Sequence, residues 1–157
     1  MKKILSILIA ILLTISSGAQ QQKEFKYELT QFDSYIVTSV TSKGIVEGIH
    51  GEAHILNQKK FDTLIFDIIK KSVPKEKLEI LQARTTLIFV IDSKGRIHNY
   101  WYSIDKNDIN VLTENDLLDM INKIKQISID TTIVKIENGD YATVGCSLNP
   151  NGHRHNK

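Results

Sequence analysis

Cysteine occurs once in these 157 residues, at position 146, so no disulfide can form within the chain. Cys146 reads as a buried, inert thiol, with a bridge to a second chain as the alternative. Only two prolines are present, and no linker or low-complexity tract divides the chain. Roughly 138 residues from Gln20 onward suit one domain with one core. Charge of one sign is also lacking: there are 20 Lys and Arg against 18 Asp and Glu, and removing Lys2 and Lys3 leaves eighteen of each. A near-neutral chain argues against a nucleic-acid or anionic-membrane surface, which needs a concentrated basic patch. Catalytic signatures are missing as well. There is no Gly-x-Ser-x-Gly elbow, no His-Glu-x-x-His helix and no recognisable histidine partner for Cys146. That content favours a non-catalytic protein without a cofactor.

What is present begins with a leader. Met1-Lys2-Lys3 precedes an apolar core from Ile4 to Ile15, and Ser17-Gly18-Ala19 supplies small residues for cleavage. The pattern predicts a signal peptide over 1–19 and a mature chain from Gln20. A core of about a dozen residues is short of the roughly 20 a spanning helix needs, so no transmembrane anchor is expected after cleavage. No cysteine follows the core to carry a lipid. The expected destination is the periplasm or the exterior.

The most informative stretch runs from Thr86 to Ile127. Leu87 to Ile91 is a β-rich apolar run, and Asp92-Ser93-Lys94-Gly95 has the residues of a reversing turn. Arg96 to Ile104 is the return strand. Leu87, Phe89 and Ile91 face one way and Ile88 and Val90 the other, which predicts a central strand covered on two sides. The partner strand alternates Ile97, Asn99, Trp101 and Ser103 against Arg96, His98, Tyr100, Tyr102 and Ile104, and reads as less buried, near a sheet edge. Thr113 then caps a helix over 114–127 in the manner of a capping box with Asp116. Leu117, Met120, Ile121, Ile124 and Ile127 form its apolar stripe.

Elsewhere, Phe25, Tyr27 and Leu29 alternate as a first strand. Tyr35 to Thr41, the turn Ser42-Lys43-Gly44 and Ile45 to Ile49 read as a second hairpin. A loop through His50–His54 leads to an amphipathic helix near 58–71, with Phe61, Leu64, Ile65, Ile68 and Ile69 inward. Lys75 to Arg84 fits either a short helix with Pro74 at its first position or an extended lead into the central strand. Thr131–Glu137 and Tyr141–Leu148 are strand-like and joined by Asn138-Gly139, a strong hairpin signal. Residues 149–157 read as a disordered tail. The sum is an α+β fold over 20–148: a mostly antiparallel sheet built from hairpins, with two amphipathic helices on one face.

Two sets of site candidates follow. Tyr100, Trp101 and Tyr102 form an aromatic trio on a strand, and exposed members of such a trio suit an interface. His50, Glu52 and His54, with His98, are the metal-type ligands, although Gly51 and the displaced Glu depart from the helical zinc motif. The run Leu87-Ile-Phe-Val-Ile-Asp-Ser-Lys-Gly-Arg-Ile97, the helix 114–127 and the closing strand to Leu148 resemble the C-terminal domain of TonB-type energy transducers. The chain departs from that pattern after the helix, where Gln126-Ile-Ser-Ile-Asp130 replaces an aromatic-x-Pro segment. The resemblance implies a sheet with helices on one face and strand addition by a partner. In size and layout the chain also resembles small secreted bacterial proteins that bind in the envelope. The leading expectation is therefore an exported, non-catalytic binding module whose partner is an envelope protein or peptide. The alternative is a small-molecule or metal-binding periplasmic protein using the His50/His54 loop.

Overall fold

A computed structural model of the chain describes residues 24–40 and 47–149. Among the described residues, seven strands and three helices follow one another as β1 (Phe25–Leu29), β2 (Ser34–Ser39), β3 (Glu52–Ile55), α1 (Gln58–Ser72), α2 (Lys75–Ile80), β4 (Thr86–Asp92), β5 (Ile97–Asp105), α3 (Glu114–Ile124), β6 (Val134–Glu137) and β7 (Tyr141–Ser147). Five strands form an antiparallel sheet in the order β1-β2-β5-β4-β7, and β3 pairs with β6 in a separate two-stranded sheet. The fold is α+β. No described helix is long and apolar enough to cross a membrane.

The helices form where the sequence places an apolar stripe behind a cap. Asn57 caps α1 by accepting from Lys60 N at 3.0 Å. Thr113 and Asp116 make the reciprocal box at the start of α3, with Thr113 N donating to the Asp116 carboxylate at 2.8 Å. The same carboxylate receives Lys77 Nζ at 2.5 Å, tying α2 to α3. Pro74 is the residue before α2, extended at ψ 142°, and not its first helical residue. Both long helices lie on one face of the large sheet. Phe61 of α1 stacks on Phe89 of β4 with centroids 6.4 Å apart, and the buried Tyr102 hydroxyl donates to Leu117 O of α3 at 2.8 Å.

The Asp92–Gly95 turn forms as its residues predict. Gly95 N donates to Asp92 O, Asp92 Oδ1 accepts from Lys94 N and Arg96 N, and Gly95 takes φ +76°. A Cβ there would lie 1.7 Å from Ile129 O, so only glycine fits. At the opposite end of the hairpin the chain buries Asp105 and Asp108. Arg84 binds the Asp105 carboxylate, and Thr85 donates to that of Asp108.

Several expectations change. The strand expected near an edge, β5, is the middle strand of five, because β2 returns from the N-terminal side and pairs with its far edge from Ser34↔Asp105 to Val37↔Tyr102. With β1 and β5 occupying both its edges, β2 has no room for a hairpin partner at 47–49. Glu47 to Ile49 are accordingly not a strand, and the 42–44 turn with residues 45–46 lies outside the described residues. The stretch expected as a loop at His50–His54 instead enters β3. β6 and β7 do not pair with each other. Asn138 adopts φ +60° but Gly139 stays at negative φ, so the two-residue turn that closes a hairpin is not made. Gly139 instead packs on Gly51, where an added Cβ would meet Gly51 N at 2.3 Å, and the chain turns there from the small sheet into the large one.

Candidate functional site

With the helices on one side, the alternation of each strand fixes what the other side presents. In β4, Leu87, Phe89 and Ile91 face the helices, while Thr86, Ile88, Val90 and Asp92 face away. Covering on two sides, expected from the apolar character of both faces, is not what the described elements provide. Ile88 is half-buried by its neighbours on the sheet. It lies opposite Trp101 of β5 on one side and Gly145 of β7 on the other. A Cβ at Gly145 would meet nothing closer than Ile88 Cγ1 at 3.9 Å. Next along the strands, Val90 sits between Asn99 and Thr143, and Thr86 between Ser103 and Ser147, with Ile36 of β2 beyond Ser103. The open face thus carries Trp101, Ile88 and Ile36, each half-buried, beside Val90, which its neighbours bury, and is bordered by small polar side chains.

One end of this face is a polar cleft of about 270 Å³, lined by Glu47, Asp92, Ser93, Lys94, Arg96, His98, Asp140 and Tyr141. A β-bulge creates it. Val90 faces Asn99 but Ile91 faces Ile97, so His98 is the extra residue. Simple alternation would group Ile97 with Trp101. The bulge instead packs Ile97 against the core and brings His98 to Asp92, with Nε2 to Oδ2 at 2.9 Å. Arg96 Nε and Nη2 each lie 2.7 Å from the same oxygen. Burial alone would raise the Asp92 pKa, but the hydrogen bonds from His98, Arg96 and Lys94 outweigh it and hold the carboxyl far below the usual range. An ionised carboxylate only accepts, so the Nε2–H of His98 donates to it. Beside it, Asp140 Oδ2 accepts from Ile49 N at 2.9 Å, and the His50 ring meets Tyr141 edge-on while bonding Thr143 Oγ1 at 3.2 Å. Chemically, the cleft offers one fixed carboxylate, a guanidinium held against it, an imidazole and a phenol.

The aromatic trio divides. Tyr100 and Tyr102 are 4 % and 0 % exposed on the helix side and offer no surface, because a strand sends alternate residues to opposite faces. Lys125 Nζ covers the Tyr100 ring at 4.9 Å. Trp101 alone lies on the open face. The four metal-type residues are not gathered either. His50 engages Tyr141 and Thr143, His98 engages Asp92, and His54 lies 3.8 Å and 3.6 Å from Glu52 and Glu137 on the small sheet. No group of three or more His, Cys, Asp or Glu placed to hold a metal ion occurs among the described residues. Asp92, Arg96, Asp140 and Tyr141 were not site candidates on sequence. Asp92 and Arg96 looked like turn residues, and no residue pattern announces the bulge that brings His98 to them.

No family model and no curated protein matches the chain. Among solved structures, a DUF5043 family protein from Bacteroides uniformis ATCC 8492 is similar, with a TM-score of 0.56 at 9 % sequence identity, over 80 % of this chain and 85 % of that one. That likeness is one of fold. It covers the α+β arrangement and carries nothing about the cleft.

Proposed function

We propose that the protein is a non-catalytic binding module of the bacterial envelope, exported behind the leader read at 1–19, and that it holds a protein or peptide segment on the open face of its sheet. The observation that carries this reading is the apolar strip centred on Trp101, which no described helix covers and which ends in the Asp92–His98 cleft. Trp101 lies three positions along β5 from His98, roughly 10 Å at strand rise. A segment with an apolar side chain and a polar group about that far apart matches both ends. Tryptophan is one of the residues enriched at the anchoring positions of such contacts. The test is cross-linked capture from envelope extract with wild-type and Trp101→Ala chains. A partner retained by the first and lost by the second, with both melting at similar temperature, supports the reading. The same partners on both chains would sink it.

The cleft favours a second reading, a small polar ligand held by Asp92, Arg96 and His98. Its volume is slightly under the roughly 300–1,000 Å³ of ordinary ligand pockets, so the ligand would be small. This moves the small-molecule alternative away from the His50/His54 stretch. A thermal-shift screen of small polar compounds, repeated on His98→Ala, separates it from the first reading: a stabilising hit should vanish in the variant.

A further inference from the structure

The outer edge of the large sheet is β1, which pairs with β2 on one side and has no strand on the other among the described residues. Its sequence is Phe25-Lys26-Tyr27-Glu28-Leu29, symmetric in character about Tyr27: apolar, basic, aromatic, acidic, apolar. Val40 N donates to Glu24 O, and Thr30 N donates to Ser34 O. Antiparallel alternation therefore turns the backbone groups of Lys26 and Glu28 toward β2 and those of Phe25, Tyr27 and Leu29 outward. The residues with outward backbone are the three that keep their side chains on the helix face. Of these, Leu29 is 63 % exposed and Tyr27 38 %.

We infer that β1 is a homodimer edge, its occupant being the β1 strand of a second copy paired antiparallel about a two-fold axis through Tyr27. In that register Phe25 faces the second copy's Leu29, Tyr27 faces its own counterpart, and all outward N–H and C=O groups find partners. Lys26 faces the second copy's Glu28, and Glu28 its Lys26, at the non-hydrogen-bonded positions where opposing side chains come closest. The register is specified. Moving the axis to Lys26 or to Glu28 sets like charges opposite each other, and a one-residue slip matches outward backbone groups with inward ones. Edge strands that avoid pairing carry charges that repel a second copy, whereas these attract it. Such an isologous contact closes on itself as a dimer and joins the two open faces into one ten-strand surface. The inference stands apart from the function proposed above, since it uses the sheet's edge and not its face.

The experiment is sedimentation velocity on the full chain over roughly 1–500 µM, a range suited to a contact smaller than a standard interface. Wild type should shift from monomer to dimer with concentration. Lys26→Glu and Glu28→Lys should each weaken dimerisation by about ten-fold, since each converts both cross-strand pairs to repulsion. The double exchange Lys26→Glu/Glu28→Lys should restore wild-type association. Both side chains are exposed on the open face, so the fold should tolerate the changes, and circular dichroism melts confirm it. A chain that stays monomeric throughout, or one that associates regardless of the signs at 26 and 28, overturns the inference.

Discussion

At the scale of single residues, burial separates side chains that look equivalent on paper. Cys146 is 2 % exposed, and burial, with the nearby Asp62 charge, pushes its thiol up to about 12. It should resist maleimide at pH 8 in the native protein and react fully in denaturant. Labelling of the folded chain at a rate near that of a free thiol would show the site is open. The sequence made this position legible, since a lone cysteine in an apolar strand pattern reads as core. Tyr100, Trp101 and Tyr102 were legible as an alternating trio, but which parity faced the helices was not, because that depends on where α1 and α3 dock. The assignment is testable by contrast. Tyr102→Phe removes the hydroxyl bonded to Leu117 O and should cost about 1 kcal/mol in urea unfolding. Trp101→Ala, on the half-exposed face, should cost less than a core aromatic truncation, which runs to roughly 3–5 kcal/mol. A Trp101→Ala loss in that upper range would mean the open face is packed, not open.

At the scale of elements, what was legible is what local chemistry dictates. The cap of α3, the apolar stripes of α1 and α3 and the Asp92–Gly95 turn depend on residues within a few positions of each other. Removing the α3 cap with Thr113→Ala should cost about 1 kcal/mol, and Thr113→Ser should recover most of it. Equal losses from both would mean the hydroxyl is not the capping group. What could not be read is what long-range partners decide. Asn138-Gly139 has hairpin chemistry, yet β6 finds β3 and β7 finds β4, and Gly139 is kept small by the backbone of Gly51. Gly139→Ala should therefore destabilise by about 1–3 kcal/mol, as overpacking does, although the turn itself would accept alanine at negative φ. The bulge at His98 belongs to the same class. It depends on how β5 meets β4, and without it neither the cleft nor the face assignment of Ile97 can be deduced.

At the scale of the whole molecule, three partly or fully buried aspartates pin distant parts of the chain. Asp92 holds the β4–β5 turn, Asp105 binds Arg84 across the base of the same hairpin, and Asp116 joins α3 to α2 through Lys77. For each, burial pushes the pKa up and is outweighed by hydrogen bonds. The opposing bonds come chiefly from His98 for Asp92, from Asn107 N and Arg84 for Asp105, and from Lys77 and Thr113 for Asp116, so all three end below the ordinary carboxylate value. The sign follows directly. A carboxyl that is more acidic folded than unfolded binds more protons when unfolded, so its stabilisation is complete above the unfolded pKa of about 4 and is lost as pH falls toward the folded value. Unfolding free energy should therefore be insensitive to these groups from pH 6 to 8 and should decline steadily below about pH 4. Asp92→Asn tests the cleft's share, because the amide keeps the shape but cannot titrate. Its stability should be lower than wild type at pH 7, and the gap between the two curves should narrow steadily as pH falls below about 4. Parallel curves over that range would mean that the Asp92 carboxylate is no better held in the folded chain than in the unfolded one, and the charge order read into the cleft would fall with it.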